Sequence, residues 1–168
     1  VVELLNVYFS KVCDIILANG GMIDKFIGDA VMAVFGAPLA DPKHARQALA
    51  TALGMVAAAT EFEDWMRNRF PHLGDWRFRI GVGLHSGPAV VGNIGSKQRL
   101  DFTVIGDTVN TASRLEGFTK EMGCPVVASQ TVVDMAGAGV VTGRQELAHV
   151  KGKSEPVPAL EILGLAAN

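Results

Sequence analysis

Met22-Ile23-Asp24-Lys25-Phe26-Ile27-Gly28-Asp29-Ala30-Val31-Met32-Ala33-Val34-Phe35 reads as two short apolar-rich strands folded about Gly28-Asp29. Two such runs separated by two residues of the Gly-Asp kind are a hairpin signal. Upstream, Leu4, Leu5, Tyr8, Val12, Ile15 and Ile16 recur close to helical spacing, so residues 1–19 are expected to form a helix packed on one face. Asn19-Gly20-Gly21 ends it, because glycine takes the left-handed cap conformation cheaply. Downstream, Gly36-Ala37-Pro38 stops the hairpin. Asp41-Pro42 then opens a second helix, with Asp at the cap and Pro at its first position, running to about Phe70. Trp76 to His85 alternates as a strand. Ala89 to Asn93 with Leu100 to Ile105 gives the next, long and interrupted by a Gly-Ser turn. Gly106-Asp107 starts a third helix that ends near Gly123. Pro125 to Ala128 reads as a strand, Gln130 to Met135 as a helical turn, and 140–150 and 157–162 as closing strands.

The order helix, hairpin, helix, hairpin, helix, strand implies an α+β fold, with helices packed on a mostly antiparallel sheet. A split β-α-β, ferredoxin-like repeat needs one more strand before the first helix. No stretch of this sequence supplies it. At 168 residues, 49% of them apolar and 19% charged, the chain is sized for one well-buried domain over 1–168. It opens without an initiator Met and inside a helical pattern, so it reads as an N-terminally truncated piece excised from a longer protein. A net charge of −2 without any basic stripe speaks against a nucleic-acid partner. No apolar run approaches the ~18 residues of a membrane span. Cys13 and Cys124 have neither disulfide-framework numbers nor metal-ligand spacing, and they read as thiols in a reducing cytoplasmic compartment.

Three segments carry groups that can do chemistry. In the hairpin, strand alternation puts Asp24, Phe26 and Gly28 on one face, with Lys25 and Ile27 on the other. Asp29 sits at the turn, where it is either a turn-forming residue or a carboxylate facing a divalent cation. In the third helix, Asn110 and Arg114 are four apart and project from one face. Asn110 lies in the first turn, where free N–H groups favour phosphate, and Arg114 can grip a phosphate through two hydrogen bonds. The competing reading has Arg114 paired with Glu116 or Asp107. Near the end, His149-Val150-Lys151-Gly152-Lys153 is a basic loop that is a solvated turn by itself and a polyphosphate contact beside an anion site. Gly81-Val82-Gly83-Leu84-His85-Ser86-Gly87 is not a dinucleotide fingerprint, since its third glycine is one residue late and no helix opens there. Its glycines instead permit a bulge or a close backbone crossing.

Together these segments resemble the class III adenylyl/guanylyl cyclase catalytic domain. The likeness runs in order through Glu3-Leu4-Leu5-Asn6 with Tyr8-Phe9, through Lys25 to Gly36, through Gly83-Leu84-His85-Ser86-Gly87, and through Asp101 to Arg114 into Val150-Lys151-Gly152-Lys153. It implies a ferredoxin-like cyclase palm that converts ATP to 3′,5′-cyclic AMP and pyrophosphate with two divalent cations, Mg²⁺ or Mn²⁺. By the resemblance, Asp29 matches the second of two metal aspartates, and Lys25 with Thr103 the base-selecting pair of the ATP-using type. Asn110 matches the ribose-orienting asparagine and Arg114 the arginine that stabilises the transition state. Lys151 matches the triphosphate lysine, with Lys153 as the neighbouring register. The family builds its sites across a dimer interface, which implies a homodimer, on the cytoplasmic side, joined to regulatory domains of the parent chain.

The sequence departs from the family in two places. The first metal aspartate belongs to the strand that precedes the first helix, so this chain alone is expected to be weakly active or inactive. Gly81 stands where some members place a phosphate-contacting arginine, with Arg79 on the same face. The alternatives to an adenylate cyclase are a guanylate cyclase, opposed by Lys25 and Thr103, and a non-catalytic dimerising regulatory module.

Overall fold

The computed structural model describes residues 2–167. Val1, where the first helix was expected to start, and Asn168, the far end of the expected domain, lie outside the described residues. The chain runs α1 (Val2–Ala18), β1 (Met22–Ile27), β2 (Ala30–Val34), α2 (His44–Arg69), β3 (Val82–Leu84), β4 (Val90–Ser96) and β5 (Arg99–Ile105). It continues with α3 (Asp107–Met122), β6 (Val126–Ser129), α4 (Gln130–Ala136), β7 (Val140–Ala148) and β8 (Val157–Leu165). This is the α+β order the sequence implied.

The strands fall into three groups: the hairpin β1-β2, a four-stranded sheet in the order β3-β6-β8-β7, and the hairpin β4-β5. All pairings are antiparallel except β3 with β6, which is parallel. Beyond their hairpin partner or sheet neighbour, β2 and β3 each leave one edge unpaired. Between those edges lies a cavity of about 590 Å³, bounded by Ala30–Val34 on one side and Ile80–Leu84 on the other, with Tyr8, Val12 and Ile16 of α1 beneath. An apolar slot between two open strand edges is where a ferredoxin-like repeat accommodates its first strand.

Three apolar clusters hold the layers together. Tyr8, Val12 and Ile16 of α1 meet Ala59, Phe62 and Met66 of α2, with Phe78 stacking edge-on against both Tyr8 and Phe62. Leu49 and Ala52 of α2 pack on Leu84, Val126, Ala128 and Ile162. Leu115, Phe118 and Met122 of α3 cover Val127, Ala148 and Ala159 from the opposite direction.

The departures from the sequence reading have local causes. Of the expected strand 76–85, only Val82–Leu84 joins a ladder. Residues 78–81 border the open slot, and 76–81 have no strand to pair with among the described residues. They are held instead by side chains, Trp76 on Phe78 and the Phe78 N–H donating to Glu63 Oε2 at 2.7 Å. The α2 helix starts at His44, not at Asp41-Pro42, because a turn with His44 N–H donating to the Asp41 carbonyl precedes it. Asp41 braces that turn, accepting from the Lys43 N–H at 2.8 Å and from Gln47 Nε2 at 2.9 Å. In the long hairpin the reversal is Lys97-Gln98, not Gly95-Ser96, since Ser96 pairs with Arg99.

Candidate active site

The hairpin β1-β2 turns as expected, with Ile27 opposite Ala30 and Gly28 in a positive-φ conformation (+61°). Its alternation does not hold to the end. Ile23 pairs with Ala33 and Lys25 with Met32, so Asp24 is an extra, bulged residue. A bulge re-aims the side chains around it. Asp24, expected to share a face with Phe26 away from Lys25, instead turns inward with a side chain 1% exposed and its Oδ2 4.0 Å from Lys25 Nζ. Across on β5, Thr103 Oγ1 donates to the same Oδ2 at 2.8 Å. Lys25 and Thr103, 78 positions apart in sequence, thus converge on one carboxylate. Sequence reasoning named both but missed Asp24, whose placement depends on a bulge that leaves no mark in the residue pattern.

Strand β5 runs directly into α3 through Gly106, whose φ of +137° permits the sharp entry. Asn110 lies exposed in the first turn of α3. Arg114, one turn on, is paired neither with Glu116 nor with Asp107. It reaches Glu121 Oε1 at 3.0 Å, donates through Nε to the His149 carbonyl at 3.0 Å, and lies 5.2 Å over the Phe118 ring. The basic loop that follows β7 therefore docks on the Arg114 face. Lys153 of that loop is tied to Asp107 at 2.9 Å, while Lys151 is exposed and has no ion-pair partner among the described residues. The structure thus brings Lys153 to the start of α3 and leaves Lys151 extended in solvent.

His85 closes β3 with its Nδ1 2.8 Å from Ser129 Oγ. Burial lowers its pKa, the Lys153 ammonium lowers it further, and Asp107 opposes both. Arg79 and Asp29 both line the slot between β2 and β3, as does Gly81. Asp29 is exposed at the hairpin tip. No group of three or more His, Cys, Asp or Glu side chains converges among the described residues. A hard cation such as Mg²⁺ is commonly held by one or two carboxylates plus substrate phosphates. Asp29 fits that role as a single oxygen ligand beside the slot.

The strand that carries Thr103 leads directly into the helix that carries Asn110 and Arg114, within an α+β fold of helices packed on mostly antiparallel strands. The chain belongs to the adenylate and guanylate cyclase catalytic domain family, whose model matches residues 1–158. It is 39% identical over 165 residues to adenylate cyclase 1 of Rhizobium meliloti (strain 1021), covering 98% of this chain and 24% of that protein. It is 36% identical over 163 residues to the adenylate cyclase of Anabaena cylindrica, covering 95% of this chain and 32% of that protein. The chain therefore spans a quarter to a third of the length of these curated relatives. Among solved structures, the guanylyl cyclase Cya2 superposes with a TM-score of 0.87 at 33% identity, over 98% of this chain and 81% of Cya2. The adenylyl cyclase CyaB from P. aeruginosa superposes with a TM-score of 0.79 at 30% identity, over 98% of this chain and 83% of CyaB. Cyclase catalytic domains act on nucleoside triphosphates with divalent cations and work as dimers.

Proposed function

We propose that this domain converts ATP to 3′,5′-cyclic AMP and pyrophosphate at the interface of a homodimer. The observation that carries the reading is the convergence of Lys25 and Thr103 on Asp24. It sets an ammonium donor beside a hydroxyl, which matches the N1 acceptor and 6-amino donor of adenine. Guanine reverses both polarities. Its Watson–Crick edge carries a donor at N1 and an acceptor at the 6-position.

In the reaction the ribose 3′-oxygen bonds to the α-phosphorus, the α,β-bridging bond breaks, and pyrophosphate leaves with the bond's electrons. The 3′-hydroxyl proton passes to solvent. Two divalent cations, Mg²⁺ or Mn²⁺, when bound supply Lewis acidity to the 3′-hydroxyl and charge neutralisation to the triphosphate. Asp29 holds one side of that metal site. Asn110 orients the ribose, so its contribution is positional. Arg114 meets the charge that develops on the α-phosphoryl oxygens, using the fork now occupied by Glu121 and the His149 carbonyl. Lys151 takes the outer phosphates, and Lys153 fixes the loop against Asp107.

The hairpin β4-β5 supports the dimer. It pairs with itself along its whole length and exposes Val90 (62%), Leu100 (59%), Phe102 (44%) and Ile105 (46%). A two-stranded ribbon is marginal in water without an apolar cover. A second copy provides that cover and brings the metal side of one protomer to the base-reading side of the other. The parent chain carries regulatory domains and presents this domain on the cytoplasmic side of any membrane. No helix among the described residues is long and apolar enough to cross one.

The overlay on Cya2 keeps GTP in the test as the second substrate. Cyclic nucleotide formation from ATP and from GTP is measured with Mn²⁺ on this chain and on a version extended upstream by one strand and its connection. Cyclic AMP from the extended protein alone supports the reading. Cyclic GTP in its place reverses the base assignment, and neither product from an intact dimer leaves a regulatory module.

A further inference from the structure

A threonine hydroxyl is ambiguous toward a purine. It can give its proton to the 6-oxo group of guanine, or accept one from the 6-amino group of adenine. Here the ambiguity is removed. The Thr103 hydroxyl proton is committed to Asp24 Oδ2 at 2.8 Å, and a carboxylate has no proton to return. What Thr103 retains for a ligand is lone pairs.

We propose that Asp24 sets the base specificity of this domain, by holding the Thr103 proton so that the hydroxyl meets the purine edge only as an acceptor. A 6-amino purine is admitted, and a 6-oxo purine brings acceptor against acceptor. The inference rests on the reading of the Lys25–Thr103 pair as a purine site and names the group that polarises it. Asp24 is a positioning residue that acts through Thr103, while the Lys25 ammonium lies 4.0 Å from the same carboxylate.

Two further observations favour this role over simple packing. The ladder admits an extra residue at Asp24, between the pairs Ile23–Ala33 and Lys25–Met32, and so directs a carboxylate inward where regular alternation would not. Its other oxygen, Oδ1, is buried with no hydrogen-bond partner among the described residues. A buried, half-satisfied carboxylate is costly, and an apolar side chain would fill the position more stably. Thr103 is itself only 6% exposed, so little water reaches its hydroxyl to relieve a mismatched base.

The test compares kcat/KM for ATP and for GTP in the full-length protein that carries this domain, with Asp24→Ala and with Asp24→Leu. Leucine is close to aspartate in shape, offers no acceptor, and keeps the question answerable where alanine fails to fold. Each substitution is made alone and in the Thr103→Val background. The ATP-to-GTP ratio is expected to fall about tenfold or more in the Thr103 background, through a gain with GTP as well as a loss with ATP. In the Thr103→Val background the Asp24 substitutions are expected to leave the ratio unchanged. Equal loss with both nucleotides overturns the proposal, because it marks a structural carboxylate. The same change of ratio in both backgrounds overturns it too, since the effect then runs through Lys25. An unsubstituted protein that prefers ATP while the variants fail in either way removes this inference alone. One that makes no cyclic nucleotide removes the purine-site reading with it.

Discussion

Arg114 is the residue whose proposed role, meeting charge on the α-phosphoryl oxygens, is most directly tested by substitution. Its guanidinium is held over the Phe118 ring and engaged by Glu121 and the His149 carbonyl, contacts that a phosphate would have to share or replace. Arg114→Ala is expected to lower kcat by about 10²–10³-fold with the fold intact, read by steady-state kinetics alongside circular dichroism. Arg114→Lys keeps the charge but loses the planar fork, and recovers only part of that loss. His85 gives a pH signature of another kind. In the folded chain, burial keeps the imidazole from protonating at its ordinary value near 6.5. The unfolded chain protonates there, binds more protons than the folded one just below that value, and is favoured as pH falls. Stability from urea unfolding is therefore expected to decline from pH 7 toward pH 5.5, and His85→Gln is expected to flatten the decline. Much of this scale was readable from residue types: the i, i+4 spacing of Asn110 and Arg114 put them on one helix face. Asp24 was not, because period-2 alternation assumes an unbroken ladder and the bulge exists only in the pairing.

At the scale of elements, α3 and β3 cross at Gly83. A Cβ built there would run into the Glu116 amide and the Ala112 carbonyl of the helix backbone, neither of which can rotate away. The sequence reading of a close backbone crossing was sound for this glycine. The distance between β3 and α3 is thus set by a missing side chain, and with it the height of Asn110 and Arg114 above the sheet. Gly83→Ala is expected to lower the unfolding free energy by about 3 kcal/mol, measured by denaturant titration, and to depress activity further than its stability loss explains. Helix α3 was legible almost to the residue, since Gly106 and Gly123 bracket it and Gly123 takes the left-handed cap (φ +66°). The strand expected over 76–85 was legible only in part. Its alternation is real, but a strand also needs a partner, and residues 78–81 border the open slot.

For the whole molecule the governing fact is that two apolar features among the described residues are left without cover: the slot between β2 and β3, and the ribbon β4-β5, which exposes Val90 and Ile105 on one face and Leu100 and Phe102 on the other. They call for different occupants. The slot is narrow, flanked by two unpaired edges, and suits a strand that hydrogen-bonds on both sides. The β4-β5 ribbon is paired internally from Val90–Ile105 to Ser96–Arg99, each of its strands keeps one open edge, and its Leu100–Phe102 face offers a partner apolar side chains, as an interface between copies requires. A charge placed on that face should act on association and not on folding. Leu100 is 59% exposed, and Leu100→Asp removes no core contact while putting a carboxylate where two apolar faces would meet. In the extended protein this substitution is expected to shift the dimer toward monomer in sedimentation velocity, with the melting temperature of the protomer unchanged. Cyclase activity should fall in proportion to the dimer lost and return as protein concentration is raised. Activity that persists in a population shown to be monomeric would mean that one chain completes the site unaided, and the division of metal and base contacts between protomers would have to be withdrawn.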